Sequence, residues 1–202
     1  GLCVIVASCG PSSRGRDRGG DDDDDSADDD DGSGDDDDGP SVQGPTDILL
    51  VVDNSNSMQQ IQEELAADLA PLVAELVASE VDFQLGVTTT DVDNGGNGNQ
   101  GNIRSLDGAD CGNPTIIHPD SQDPLGELVD LVLVGVEGTG SERGTYAAAL
   151  ALCKGKSEAW WSQLEDLPDQ SPVKQVCSLI PSAQQGCNQG FFREGAASVV
   201  VM

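Results

Sequence analysis

Thr46-Asp47-Ile48-Leu49-Leu50-Val51-Val52-Asp53-Asn54-Ser55-Asn56-Ser57 is the segment from which the architecture follows. Its centre, Ile48 to Val52, is a short apolar run without alternation, the pattern of a strand buried on both faces in the middle of a parallel sheet. Beyond the polar turn, Ile61, Leu65, Leu69, Leu72 and Leu76 recur at steps of three and four. That spacing predicts a helix over 57–79 with one apolar stripe. Pro71 falls inside it and is expected to kink or split it, because proline lacks a donor and crowds the preceding turn.

Downstream, Val81 to Thr90 alternates and is rich in β-branched residues, which predicts a second strand. A Gly/Asn-rich loop follows from Asp93 to about Asn102. Further helices are expected over Leu125–Val134 and Glu142–Leu152, and a final strand over Ala196–Val201. The order strand, helix, strand, helix, helix, strand implies an α/β fold, a doubly wound, mostly parallel sheet flanked by helices on both faces. No internal repeat is present.

Upstream of Thr46 the composition changes. Residues 10–45 are almost entirely Gly, Ser, Asp, Arg and Pro, and such a segment cannot bury enough apolar surface to offset the entropy of ordering. Thirteen of the 37 acidic residues are the aspartates between Asp21 and Asp38, so the net charge of -28 is carried disproportionately by this linker, read here as a disordered, self-repelling spacer. With nine basic residues against that charge, nucleic acid is excluded as a partner. Residues 1–9 form an apolar run too short to span a bilayer, which needs about 20 residues, and read as the end of a signal peptide. Val6-Ala7-Ser8-Cys9 resembles the lipobox of bacterial lipoproteins. The resemblance makes Cys9 the acylated first residue of the mature protein, held to the membrane by several acyl chains. Gly10 stands where the resembling enterobacterial lipoproteins carry an aspartate for inner-membrane retention, so the expected location is the bacterial cell envelope, at the outer membrane or surface. In an exported chain, Cys111, Cys153, Cys177 and Cys187 form an even set, giving two disulfides with three possible connectivities. A zinc site is disfavoured, since no pair has CxxC spacing and His118 is the one histidine.

The segment 46–202 is therefore expected to be one domain, with its chemistry in the turn after the first strand. Asp53-x-Ser55-x-Ser57 directs one carboxylate and two hydroxyls toward a point at the carboxyl end of a strand, an oxygen set that suits a hard cation such as Mg²⁺. A weaker alternative is that Ser55 or Ser57 only caps the helix. The motif resembles the first loop of the metal-ion-dependent adhesion site in von Willebrand factor type A and integrin inserted domains. In that family the second loop reads Thr-x-Thr-x-x-Gly before a helix, and Thr139-Gly-Ser141-Glu-Arg-Gly144 is similar to it, with Ser141 in place of the later threonine. The resemblance implies a Mg²⁺ or Mn²⁺ site made by Asp53, Ser55, Ser57 and Thr139, able to take a carboxylate from a protein ligand. It also implies a third loop, carrying an aspartate, after the strand in which residue 202 falls. The C-terminal strands are on this reading missing and the domain partial, with an open sheet edge.

The function expected from these features is that of a membrane-anchored, Mg-dependent protein-binding or adhesion module. The alternative is a structural envelope lipoprotein with a degenerate, non-metal-binding site of the same fold. An enzyme is not expected: no base, nucleophile or oriented partner stands out, and His118 lies in Ile-Ile-His-Pro as a loop residue. Asp91-Val-Asp93-Asn-Gly-Gly96 departs from a calcium-loop pattern at its fifth and twelfth positions and reads as a turn. Of Trp160 and Trp161, one is expected to be buried and one at the surface.

Overall fold

The computed structural model describes residues 44–93, 100–107, 111, 113–138 and 143–202, and the backbone of residues 4–7. Four strands form one sheet: β1 (Val4–Ala7), β2 (Thr46–Val52), β3 (Phe83–Thr89) and β4 (Ala197–Val201), in the order β1-β4-β2-β3. The strands β4, β2 and β3 are parallel, with Ile48 opposite Leu85 on one side and Val199 on the other. Strand β1 pairs antiparallel along the outer edge of β4, Val4 opposite Val201. The edge expected to lie open is thus paired in this structure, in keeping with the tendency of unpaired backbone donors and acceptors to recruit an extended apolar segment. On the opposite flank, Ile117 exchanges two 2.9 Å hydrogen bonds with Leu85 and caps the edge of β3 locally.

Every residue of β2 is buried, as its unbroken apolar run requires. The two faces of β2 then sort the helices. Ile48, Leu50 and Val52 pack with Ala66, Leu69 and Val73 of α1 (Gln59–Ala78) and with Leu128, Leu131 and Val132 of α2 (Pro124–Val132). Leu49 and Val51, pointing the other way, pack with Ala147, Ala148 and Ala151 of α3 (Gly144–Lys154) and with Phe191. The result is an α/β fold in which a small open parallel sheet is covered by helices on both faces. Helix α2 starts where sequence chemistry favours a start: the Asp123 carboxylate accepts the Gly126 amide at 3.0 Å and Pro124 occupies the first turn.

Helix α1 differs from its expected form in two ways. It is not split at Pro71, since Pro71 and Ala67, four residues before it, both lie on the exposed side, where water can serve the freed carbonyl. Its buried row is Gln62, Ala66, Leu69 and Val73, whereas Ile61 and Leu72, both assigned to the apolar stripe, are about half exposed. The stripe is rotated by one residue at those positions, so that a glutamine is buried in place of an isoleucine.

Between α3 and β4 the chain forms two short helices absent from the sequence reading, α4 (Glu158–Trp161) and α5 (Pro172–Cys177), and 3-10 turns at Leu164–Asp166 and Ser182–Gln184. With four and six residues respectively, neither helix is long enough to show a period. Two disulfides tie this region down, Cys153–Cys177 between α3 and α5 and Cys111–Cys187 across the loops. Trp161 is buried and Trp160 half-buried, edge to face at 5.4 Å. At the amino ends of the strands, the fully buried Asp47 accepts the Arg193 amide at 2.6 Å and Nε at 2.7 Å, and the same guanidinium reaches Asp82. Among the described residues no helix is long and apolar enough to cross a membrane.

Candidate functional site

Strand β2 has β3 on one side and β4 on the other, so the connections leaving it diverge at its carboxyl end. In open α/β sheets that divergence leaves a crevice in which ligands bind. The turn from Asp53 to Ser57 lies there, between β2 and α1.

Local chemistry shapes the turn. The Asp53 carboxylate accepts the Ser55 amide at 2.8 Å, an Asx turn that reverses the chain directly after the strand. The Ser55 carbonyl accepts the Met58 amide at 3.1 Å, completing the approach to α1. Met58 is the cap residue of that helix and no side chain bonds to it there, so neither Ser55 nor Ser57 serves as its cap. Ser55 is 7% exposed and its hydroxyl is buried without a hydrogen-bond partner. Asn54, also buried, leaves its side-chain oxygen in the same condition. Buried hydroxyl and amide oxygens without a partner are uncommon in folded proteins and call for an explanation in each case. Asp53 is half-buried and Ser57 exposed.

The loop after α2 is fastened onto this turn at two points. Gln62, on the buried row of α1, donates its side-chain amide to the Asp53 carbonyl at 2.8 Å and to the Gly135 carbonyl at 2.9 Å. The Gly138 amide donates to the Asn54 carbonyl at 2.9 Å. Position 138 favours glycine for a steric reason: a β-carbon there would stand 2.5 Å from the Asn54 side chain, which would have to move. The remaining wall is formed where Thr90 donates its amide to Val52 and accepts that of Arg143, which sets the start of α3 against the end of β3.

Of the expected site residues, Asp53, Ser55 and Ser57 share one turn, and the loop bearing Thr139 is held against that turn up to Gly138. Thr139 itself, Ser141, and the acylation candidate Cys9 with its acidic linker lie outside the described residues. The four cysteines after residue 46 pair as Cys111–Cys187 and Cys153–Cys177, one of the three open connectivities. Among the described residues no group of three or more His, Cys, Asp or Glu side chains is placed to hold a metal ion. A site here would rest on one carboxylate and neutral oxygens.

Three residues of this region escaped the sequence reading. Gln62 and Gly138 join the loops, and Asp91, read from the sequence only as part of a turn, is fully buried at the end of β3 and accepts the Asp93 amide at 3.1 Å. Gln62 carried a signal: it is the polar member of the i, i+4, i+7, i+11 row that is buried. His118 is a half-buried loop residue whose amide donates to the Ser121 hydroxyl at 3.0 Å. Comparison of the chain with protein-family models, with curated proteins and with solved structures finds no match to any of the three.

Proposed function

We propose that the crevice at the end of β2 is a divalent-cation site of the adhesion type, in a doubly wound domain resembling the von Willebrand factor type A fold. The observation that carries this reading is the Ser55 hydroxyl, buried without a partner beside the Asp53 carboxylate in a turn onto which the second loop is fastened. A hard cation such as Mg²⁺ or Mn²⁺ is suited to such a donor set. Asp53, Ser55, Ser57 and Thr139 would hold it. When bound, an ion given little negative charge by its ligands keeps the capacity to accept a carboxylate oxygen. This chain's own part is to present the hydroxyls, to hold Asp53 by the Ser55 amide, and to keep the two loops together through Gln62.

On this reading the protein is a non-enzymatic binding module whose partner is a protein offering an Asp or Glu side chain. Acylation at Cys9, with the preceding cleavage that would remove Val4–Ala7 and so β1, would anchor it in the cell envelope, and the acidic linker would hold the domain away from the membrane. A second reading, a structural envelope protein with a degenerate site, is favoured by the presence of a single carboxylate in the turn.

Calorimetric titration of the oxidised chain with Mn²⁺ and Mg²⁺ separates the two readings. Saturable binding that is lost in both Asp53→Ala and Ser55→Ala, with near-ultraviolet circular dichroism unchanged, supports the cation site. Heats that are absent in the parent protein, or the same in Asp53→Ala, establish the degenerate site.

A further inference from the structure

A second site stands along α3 and is independent of the cation reading. Lys154, the last residue of α3, is 1% exposed, an unusual position for a lysine. Its ammonium donates to the Asn102 side-chain oxygen at 2.7 Å and to the Gln184 side-chain oxygen at 2.9 Å. The orientation of the Gln184 amide is set by its own donation to the Gln100 side chain at 3.3 Å. Both partners of the ammonium are neutral, and among the described residues no ion pair includes Lys154. An ammonium has three N–H donors, so one is left over. Burial lowers the pKa of this amine to about 8, leaving it still mostly cationic at neutral pH.

Lys154, Gln184 and Gln100 supply the polar lining of a cavity of about 200 Å³ whose apolar walls include Val92, Leu150 and Ile180. A cation with no charged partner and one donor without an acceptor among the described residues, beside a wall that is apolar in part, together describe a receptor for a small anion with an apolar body. We propose that this cavity binds a small monocarboxylate, its charged end on the Lys154 ammonium and its hydrocarbon part against Leu150, Val92 and Ile180. A dianion such as phosphate fits less well, because a single cation faces it and the chain's charge of -28 repels a second negative charge. The opposite charge supplied by the ligand offsets what the buried ammonium loses on leaving water.

The probes are butyrate and benzoate, with uncharged butyramide as the control of equal shape. The oxidised full chain is labelled at lysine Cε and followed by carbon-proton correlation spectroscopy. Both carboxylates are expected to move the Lys154 resonance saturably, and butyramide is not. Lys154→Met removes the group that also bridges two loops, so its loss of binding would not tell a lost receptor from a loosened loop; the discriminating variant is Gln184→Glu, which places a carboxylate beside the ammonium. It should retain the fold and weaken carboxylate binding by about tenfold or more, since the counter-charge is then built in. A Lys154 resonance unmoved by either carboxylate, moved equally by butyramide, or titrating with undiminished affinity in folded Gln184→Glu overturns the proposal and leaves Lys154 as a strut between the loops.

Discussion

The Gly138 amide rests on the Asn54 carbonyl at 2.9 Å, with the Asn54 side chain filling the space a β-carbon would need. This contact lets the loop after α2 close onto the turn after β2. Gly138→Ala must therefore displace the buried Asn54 side chain or one of the two loops. It is expected to cost about 1–3 kcal/mol of stability, as overpacking of a filled site does, and to weaken Mn²⁺ binding if the two loops share the ion. Urea unfolding and calorimetry measure the two effects separately, and an unchanged unfolding midpoint would show that the contact carries no strain on substitution.

Gln62 supplies the other fastening. In Gln62→Leu the carbonyls of half-buried Asp53 and exposed Gly135 lose their shared donor. A loss of about 1–3 kcal/mol is expected for each carbonyl that water cannot reach. Amide hydrogen exchange should rise around Gly138 more than in β2, because the strand has its own ladder and the loop does not.

At the opposite end of the sheet Asp47 depends on Arg193. Arg193→Met leaves a fully buried carboxylate with the backbone amide alone and is expected to destabilise the fold by about 3–5 kcal/mol. Arg193→Lys should recover only part of this, since an ammonium cannot engage Asp47 and Asp82 with the geometry of the guanidinium fork. Chemical denaturation of the three proteins checks the order.

Lys154 makes stability depend on alkaline pH. Its folded pKa, lowered by burial to about 8, lies below the ordinary 10.5, so between these values the unfolded chain binds more protons than the native one. Stability contributed at this site therefore rises with pH across that window and is lowest below it. The difference in unfolding free energy between the parent protein and Lys154→Met should move in favour of the parent by up to about 3 kcal/mol from pH 7 to 10.5. A flat difference would show that the amine is solvated in the native state.

The two disulfides differ in access. Cys111 is exposed, whereas Cys153 and Cys177 are both buried among Leu150, Trp161 and Ile180. Under limiting reductant, alkylation and peptide mapping should find Cys111 and Cys187 labelled first. Full reduction is expected to cost about 2–4 kcal/mol per bridge.

Much of this protein was legible in its linear order. The unbroken run Ile48 to Val52 specified a strand buried on both faces because no alternation leaves a face for water, and the structure places it at the centre of the parallel strands. The succession of elements and the position of Asp53, Ser55 and Ser57 at a strand's end were likewise local, resting on residues that are neighbours in the chain. What only the tertiary structure decided concerns partners far apart in sequence. Gln62 is buried instead of Ile61 because two carbonyls, one of them 73 residues away, satisfy its amide. Arg193 finds Asp47 across 146 residues, the cysteines select one pairing of three, and Lys154 is enclosed by Asn102 and Gln184. Periodicity encodes which face of an element avoids water; which polar group can follow it inward depends on the donors and acceptors that the finished fold brings to meet it.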